Sequence, residues 1–192
     1  FKQHETKGSA YENLSELPES VKQIIDVENS ENLVIQHNND LAYSQVSDQA
    51  KKDGVIIEGL SEALVNHSEL VQKYFMTKAV DIDEHRLTAL HTALMNGGIF
   101  VYVPKNVVVE HPIQYVVLHD DDNASFYNHV ILVTEESAEV TYVENYLSNA
   151  NGEDNQINIV SEVIAGANSN VTYGSVDYLS LIHISEPTRR RG

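Results

Sequence analysis

The sequence of 192 residues lacks cysteine and tryptophan altogether. Without thiols the chain has no disulfide bond, no thiolate metal site and no cysteine nucleophile. Long apolar runs are also missing, because runs such as residues 107–109 and 115–118 fall far short of the roughly 20 residues that a membrane helix needs. No basic and apolar leader follows Phe1, so no secretory signal is visible. We therefore expect a cytoplasmic protein without a membrane segment.

Basic residues are scarce. The chain carries 12 Lys and Arg against 29 Asp and Glu, which gives a formal net charge of −17. Phosphate backbones are bound by clustered Lys and Arg, and anionic membrane surfaces repel acidic faces, so we expect neither nucleic acid nor membrane as a partner. The hydrophobic content of 42% is nevertheless that of a globular protein with a packed core.

Residues 1–97 combine strand and helix patterns, and we predict an α+β region there. Short β-branched or alternating runs predict strands at residues 33–35, 41–46 and 54–57. Apolar residues at helical spacing predict helices at residues 15–27, 68–76 and 83–96.

The helix predicted at residues 83–96 has the clearest pattern. Its face would be formed by Leu87, Leu90 and Leu94. Asp81 and Asp83 are suited to cap its start, because free N–H groups there favour an acceptor with negative charge. Gly97 is expected to end it in the left-handed conformation.

The pattern changes after Gly98, and residues 98–178 read as strands separated by turns. The predicted strands are residues 99–104, 106–109, 113–119, 124–133, 138–147, 157–164 and 170–176. One internal echo is visible, because Val-Thr-Tyr at residues 140–142 recurs 31 residues later at residues 171–173. Short strands at this spacing are compatible with a sandwich or a barrel. The echo favours a β-solenoid, whose rungs each bury a face against the next.

The last fourteen residues, 179–192, differ from the rest. Residues 179–189 resemble a translated sequencing-library adapter, and three arginines end the run. We interpret residues 179–192 as a non-native segment and exclude them from the functional argument. The missing initial Met suggests that the other end is cut as well.

Nine histidines raise the possibility of a metal site. His85 and His91 are six residues apart on one predicted helix, which places them on opposite faces. His111, His119 and His129 lack the close pairing of a local zinc site, so we interpret the histidines as surface or turn residues. The sequence thus predicts no metal ligand, no cofactor-binding residue and no catalytic residue.

Other polar and aromatic patterns are interpreted in the same way. Asp120, Asp121 and Asp122 are expected to form a solvated turn, because no ligand loop follows them. Aromatic residues that recur along the strands are assigned to the core, and a ligand groove is the alternative; they are Tyr102, Tyr115, Phe126, Tyr127, Tyr142, Tyr146 and Tyr173. A polysaccharide lyase is a remote alternative, because residues 87–178 hold twelve acidic residues and a single base, Lys105.

Residues 84–105 carry a longer and more specific pattern. A helix ends in Gly-Gly and a strand follows that reads Phe-Val-Tyr-Val-Pro-Lys. Residues 107–114 and 141–146 continue it, and together these segments resemble the SufB/SufD family of iron–sulfur cluster assembly proteins. Because Asn145 and Tyr146 stand where the SufB branch has a Gly-Cys pair, the SufD branch is favoured.

This resemblance implies a right-handed parallel β-helix, truncated in this chain, and a scaffold subunit without enzymatic activity. It implies pairing with SufB and with the ATPase SufC, and support for iron acquisition. An iron–sulfur cluster is implied for the full complex, with no cofactor bound by residues 1–178. The family's cluster-site histidine and its SufC-binding helices are expected beyond Tyr178. A SufB-like paralogue that holds the cluster itself is the closest alternative.

Overall fold

The computed structural model describes residues 11–26, 30–77, 86–123, 125–148 and 156–179. Asp81, Asp83 and His85, which the sequence analysis singled out, lie outside these residues. So does the segment that we interpret as non-native, apart from Leu179 at the end of the last strand. In the described part of the chain, no helix is long and apolar enough to cross a membrane.

The helices are short and lie in the N-terminal half. They are α1 (Glu19–Lys22), α2 (Asp48–Lys52), α3 (Leu60–Asn66), α4 (Ser68–Tyr74) and α5 (Arg86–Leu94), and a 3₁₀ turn at Leu14–Glu16 precedes them. The single helix predicted at residues 15–27 is wrong. Pro18 forces Leu17 into an extended conformation (ψ 145°), which separates the 3₁₀ turn from α1.

Nine strands form two mixed sheets in the described part of the chain. The strands are β1 (Asn32–His37), β2 (Asp40–Gln45), β3 (Ile56–Gly59), β4 (Gly97–Val103), β5 (Ile113–His119), β6 (Phe126–Thr134), β7 (Glu139–Ser148), β8 (Ile157–Ala165) and β9 (Asn170–Leu179). One sheet has the order β2-β1-β5-β7-β9 and the other β3-β4-β6-β8. The strands predicted at residues 33–35 and 41–46 are confirmed, whereas the one predicted at residues 54–57 begins only at Ile56, because Gly54 lies in a turn. The one predicted at residues 106–109 is reduced to an isolated bridge from Val108 to Glu139.

From β4 onward the chain alternates between the two sheets, and every pairing among β4 to β9 is parallel. Tyr142 lies opposite Tyr173, so the echo in the sequence is the register of β7 against β9. The same 31-residue offset pairs Ile99 with Val130 and Val130 with Ser161. Antiparallel pairing is found at the other end, where β2 lies beside β1 and β3 beside β4.

A stack of turns keeps this offset constant. Asn106, Ser137 and Asn168 all have positive φ, at 63°, 57° and 57°. The N–H of Asn106 donates to the carbonyl of Glu136, and the N–H of Ser137 to the carbonyl of Ala167. Asn visits the left-handed region with little strain, which suits it to two of the three turns. Each turn therefore hydrogen-bonds to the next, as the strands do.

Apolar side chains fill three layers. The largest cluster lies between the two sheets and takes residues from both, including Val101, Tyr115 and Val130. Leu17 and Val21 pack beside α1 on the outer face of the first sheet. Side chains of α3 and α4 cover the outer face of the second. Because β5 and β6 are covered on both faces, they are buried at every position, and their sequences read as nearly continuous apolar runs.

The two glycines before Ile99 are packing positions. Helix α5 ends at Leu94, and Gly97 already belongs to β4, so the prediction that Gly97 ends the helix in the left-handed conformation is wrong. Gly98 is the residue with positive φ, at 148°, and a β-carbon there would overlap the carbonyl oxygen of His129. A β-carbon at Gly97 would meet the side chain of Gln36. The pair therefore permits close approach on both faces of β4.

We predict that Gly98→Ala lowers the free energy of unfolding by about 3 kcal/mol, because the new methyl group collides with backbone that cannot move aside. Urea denaturation followed by far-UV circular dichroism measures the loss. Gly174→Ala is the matched control, since its β-carbon would make only an ordinary 4.0 Å contact with Val143. Equal stabilities of the two variants would contradict the packing role of Gly98.

Candidate functional site

Three titratable side chains meet in the protein interior on the outer face of the β4-β6-β8 sheet. His91 comes from α5, His129 from β6 and Glu162 from β8, and all three are fully buried. His91 Nε2 lies 3.1 Å from His129 Nδ1, and His129 Nε2 lies 2.8 Å from Glu162 Oε2. The same carboxylate oxygen accepts the N–H of Met76 at 2.9 Å. The three side chains thus form one hydrogen-bonded row, here called the histidine cluster.

The histidine cluster is nearly satisfied internally. His129 bonds through both ring nitrogens and also contacts the ring of Phe75, at 4.9 Å between centroids. His91 Nδ1 and Glu162 Oε1 are buried with no hydrogen-bond partner in the described structure. Burial, and secondarily the charge of His129, lowers the pKa of His91 to about 4. His91 is therefore neutral at neutral pH.

The arrangement does not match a metal site. Among the described residues, no three His, Cys, Asp or Glu side chains are arranged to hold a metal ion. The two histidine nitrogens that face each other share a hydrogen bond, and Glu162 occupies the remaining nitrogen of His129. With both nitrogens of His129 engaged, the row links α5, β6 and β8 as a structural connection.

The histidines predicted to be surface or turn residues divide into two groups. His111 is half-buried in the loop before β5, in agreement with the prediction. For His91, His119 and His129 the prediction is wrong, because each is buried, and His119 stacks on Phe126 at 5.3 Å. The sequence analysis did not pair His91 with His129, because the two residues are 38 positions apart and only the folded structure brings them together.

Glu162 was missed for a related reason. It stands between Ser161 and Val163 in β8, where an isolated acid is expected at a solvent-facing position of an alternating strand. The helices that pack on the outer face of the sheet exclude solvent from Glu162. A single acidic residue within the strand was the only signal that the sequence offered.

A second polar network lies between the sheets around Glu144, whose side chain is 1% exposed. Its carboxylate accepts hydrogen bonds from the hydroxyls of Tyr142, Tyr173 and Ser161. Burial raises the pKa of Glu144, and hydrogen bonds from Tyr173, Tyr142 and Ser175 offset part of the rise. The rings of Tyr142 and Tyr173 stack at 5.7 Å, so the carboxylate links two successive strands of one sheet to the opposite sheet.

Of the seven aromatic residues assigned to the core, five are buried, whereas Tyr102 and Tyr173 are half-buried and pack against it. Tyr115 and Tyr146 are buried edge to face, with centroids 6.3 Å apart. Tyr115 donates to Gln36 Oε1 at 2.6 Å, and Asn128 donates to the hydroxyl of Tyr146 at 3.2 Å. Burial raises the pKa of both phenols far above the ordinary value, so they stay neutral. These polar groups cross-link the two sheets from within.

The acidic turn after β5 is hydrogen-bonded to the end of β1 and the turn that follows it. Asp120 lies 2.9 Å from His37 Nε2 and accepts a hydrogen bond from Asn38. Burial acts to raise the pKa of Asp120, but these hydrogen bonds outweigh it and the pKa lies below its usual value. Asp121 accepts the N–H of Asn123, as expected of a side-chain-stabilised turn.

Comparisons with known proteins match most of the chain. Residues 14–115 match the family model described as the SufBD protein N-terminal region, and residues 116–186 match the SUF system FeS cluster assembly, SufBD core domain. The iron–sulfur cluster assembly protein SufD of Bacillus subtilis is 47% identical over 94% of the chain and 41% of its own length. A SufBD family protein of Staphylococcus saprophyticus is 25% identical over 84% of the chain and 36% of its own length. The chain therefore spans about two fifths of the length of these relatives.

We predict that Glu144→Gln removes part of the pH dependence of stability. Because the folded-state pKa is raised, the unfolded chain loses this proton first as the pH rises above about 4.5, so wild-type stability falls with pH in that range. The free energy of unfolding of the variant, relative to wild type, should therefore rise between pH 4.5 and pH 8.

Urea denaturation at a series of pH values measures this difference. Glu139→Gln is the matched control, because it neutralises an exposed carboxylate on the same strand. A difference between the Glu144 variant and wild type that stays constant across the pH range would refute the buried-acid interpretation.

Proposed function

Because the chain belongs to the SufB/SufD family, we propose that it serves as a scaffold in iron–sulfur cluster assembly by the SUF system. The observation that carries the proposal is the match of both family models, which together run from residue 14 to residue 186. The 47% identity to the Bacillus subtilis SufD protein, together with the absence of cysteine, supports the SufD branch.

We infer that the strands from β4 to β9 are rungs of a right-handed parallel β-helix. Consecutive strands alternate between two sheets, and each pairs in parallel with the strand two positions along the chain. Stacked turns at Asn106, Ser137 and Asn168 support the same interpretation. A rigid stack of this kind presents extended surfaces and sheet edges to other subunits.

The partners that we propose are SufB and the ATPase SufC, in the cytoplasm. A scaffold role without enzymatic activity is supported by the way the polar side chains are used. His129, Glu144 and Glu162 are buried and hydrogen-bonded to the protein itself, so they serve packing and not a substrate. The residues of this chain include no thiolate for an iron–sulfur cluster, so in this proposal the cysteine ligands that such clusters prefer lie outside residues 1–192. The cluster is therefore cargo of the complex in this proposal.

A chimeric protein tests the proposal. The matched part of the Bacillus subtilis SufD protein is replaced by residues 14–178 of this chain, and the chimera is expressed in cells depleted of SufD. We expect restored activity of an iron–sulfur enzyme such as aconitase, and co-purification of SufB and SufC with the chimera. Cells that receive the relative with the same part deleted should stay inactive.

Two outcomes count against the proposal. A chimera that accumulates in folded form but restores no iron–sulfur enzyme would contradict a role in cluster assembly. A chimera that restores activity without retaining SufB would contradict the pairing and leave the assembly role standing. Gly98→Ala in the chimera controls for folding, because it should reduce the amount of protein and of activity together.

A further inference from the structure

Helix α5 is attached to the sheet beneath it by a polar side chain. Among residues 88–94 only His91 is buried, whereas Ala89, Leu90 and Ala93 are exposed. Leu90 has 39% of its surface exposed, so the apolar face predicted for this helix is wrong at that position. The contacts of the helix include the hydrogen bond from His91 to His129 and one from Thr92 to the sulfur of Met76. An anchor of this type is sensitive to protonation, unlike an apolar face.

Few titratable groups surround His91 in the described part of the chain. His129 and Tyr127 face it from β6, at ring-centroid distances of 5.2 Å and 6.2 Å. Glu162 on β8 stands behind His129, at its other nitrogen. The segment after α4 contributes the ring of Phe75 and the N–H of Met76, neither of which titrates.

The hydrogen bonds of the histidine cluster change as protons are added. With one proton on each ring, His91 donates to His129 and His129 donates to the Glu162 carboxylate. A second proton on His129 makes an ion pair with Glu162, and His129 then donates to His91, so both hydrogen bonds survive. A further proton on His91 sets two N–H groups against each other across the 3.1 Å contact and leaves a buried cation without a counter-charge of its own. The row therefore accommodates one added proton but not two.

We propose that His91, His129 and Glu162 form an acid-sensitive latch, in which protonation of His91 releases helix α5 from the sheet while the core between the two sheets stays folded. The released state is stabilised by hydration of the imidazolium. Release also separates His91 from the charge of His129. The latch needs no ligand, because its two states differ only in the position of the helix and in one bound proton.

The size of this pH response follows from the difference in the pKa of His91 between the closed and the released state. Burial, then the charge of His129, holds the pKa of His91 at about 4 in the closed state, against 6.5 for an ordinary histidine. The closed state therefore binds the proton less tightly, and its advantage is complete above pH 6.5 and is lost as the pH falls toward 4. Between pH 7.5 and pH 5.0 the equilibrium constant for opening should rise about 30-fold.

Amide hydrogen exchange measures this opening in the intact chain. Protection factors, corrected for the intrinsic exchange rate at each pH, are compared for α5 and for the central strands β5 and β7. We expect α5 to lose about 30-fold in protection between pH 7.5 and pH 5.0. The protection of β5 and β7 should not fall over the same range, because acidification favours the folded state through the raised pKa of Glu144.

Two variants isolate the residue responsible. His91→Gln retains an amide that can bond to His129 but cannot titrate, so α5 should lose its pH dependence. His67→Gln is the matched control, because this half-exposed histidine lies 3.4 Å from Glu58, away from the latch, and the variant should behave as wild type. An unchanged pH response in His91→Gln would overturn the proposal, as would simultaneous loss of protection in α5, β5 and β7.

If His91→Gln does not fold, the wild-type chain provides an independent measurement. The pKa of His91 is measured by NMR, from the chemical shift of a carbon-bound ring proton as the pH is changed. The conditions are those of the exchange experiment. A pKa well below 6.5, together with loss of protection confined to α5, supports the latch. A pKa near 6.5 with α5 fully protected would exclude it.

Discussion

Parallel pairing at a nearly constant offset is the constraint on which the rest of the structure depends. Strands β6 and β8, like β7 and β9, are paired 31 residues apart, so each side chain lies beside its counterpart one repeat later. A shift of one residue would move every core side chain to the opposite face. The turn residues Asn106, Ser137 and Asn168 oppose such a shift, because each is held in a left-handed conformation beside the next.

The same pairing determines which partners the buried polar side chains find. When parallel strands are covered on both faces, their polar side chains cannot reach solvent. These side chains therefore need hydrogen-bond partners from neighbouring strands or from the helices. Glu144 obtains hydroxyl donors from its own strand, from β9 and from the opposite sheet. Glu162 obtains His129 and the N–H of Met76. Each carboxylate thereby connects elements that are distant in sequence.

The two ends of the stack differ in chemical character. Strands β2 and β3 close the N-terminal end by antiparallel pairing. At the other end, β8 and β9 are the outer strands of their sheets among the described residues, and Val163, Val176 and Tyr178 are exposed. Exposed edges and apolar side chains favour association with another strand or subunit.

The strand-rich region after Gly98, the 31-residue repeat and the family could be predicted from the sequence alone. Each depends on a local pattern of residue types or on residues that match those of known proteins. The sequence did not determine the broken helix near Pro18, the burial of His91 or the pairing of His129 with Glu162. Those depend on which strands become neighbours and which face a helix covers, and local periodicity contains no information about either. Gly98 shows the difference most clearly: the sequence marks a glycine, and only the tertiary structure supplies the backbone that excludes any larger residue.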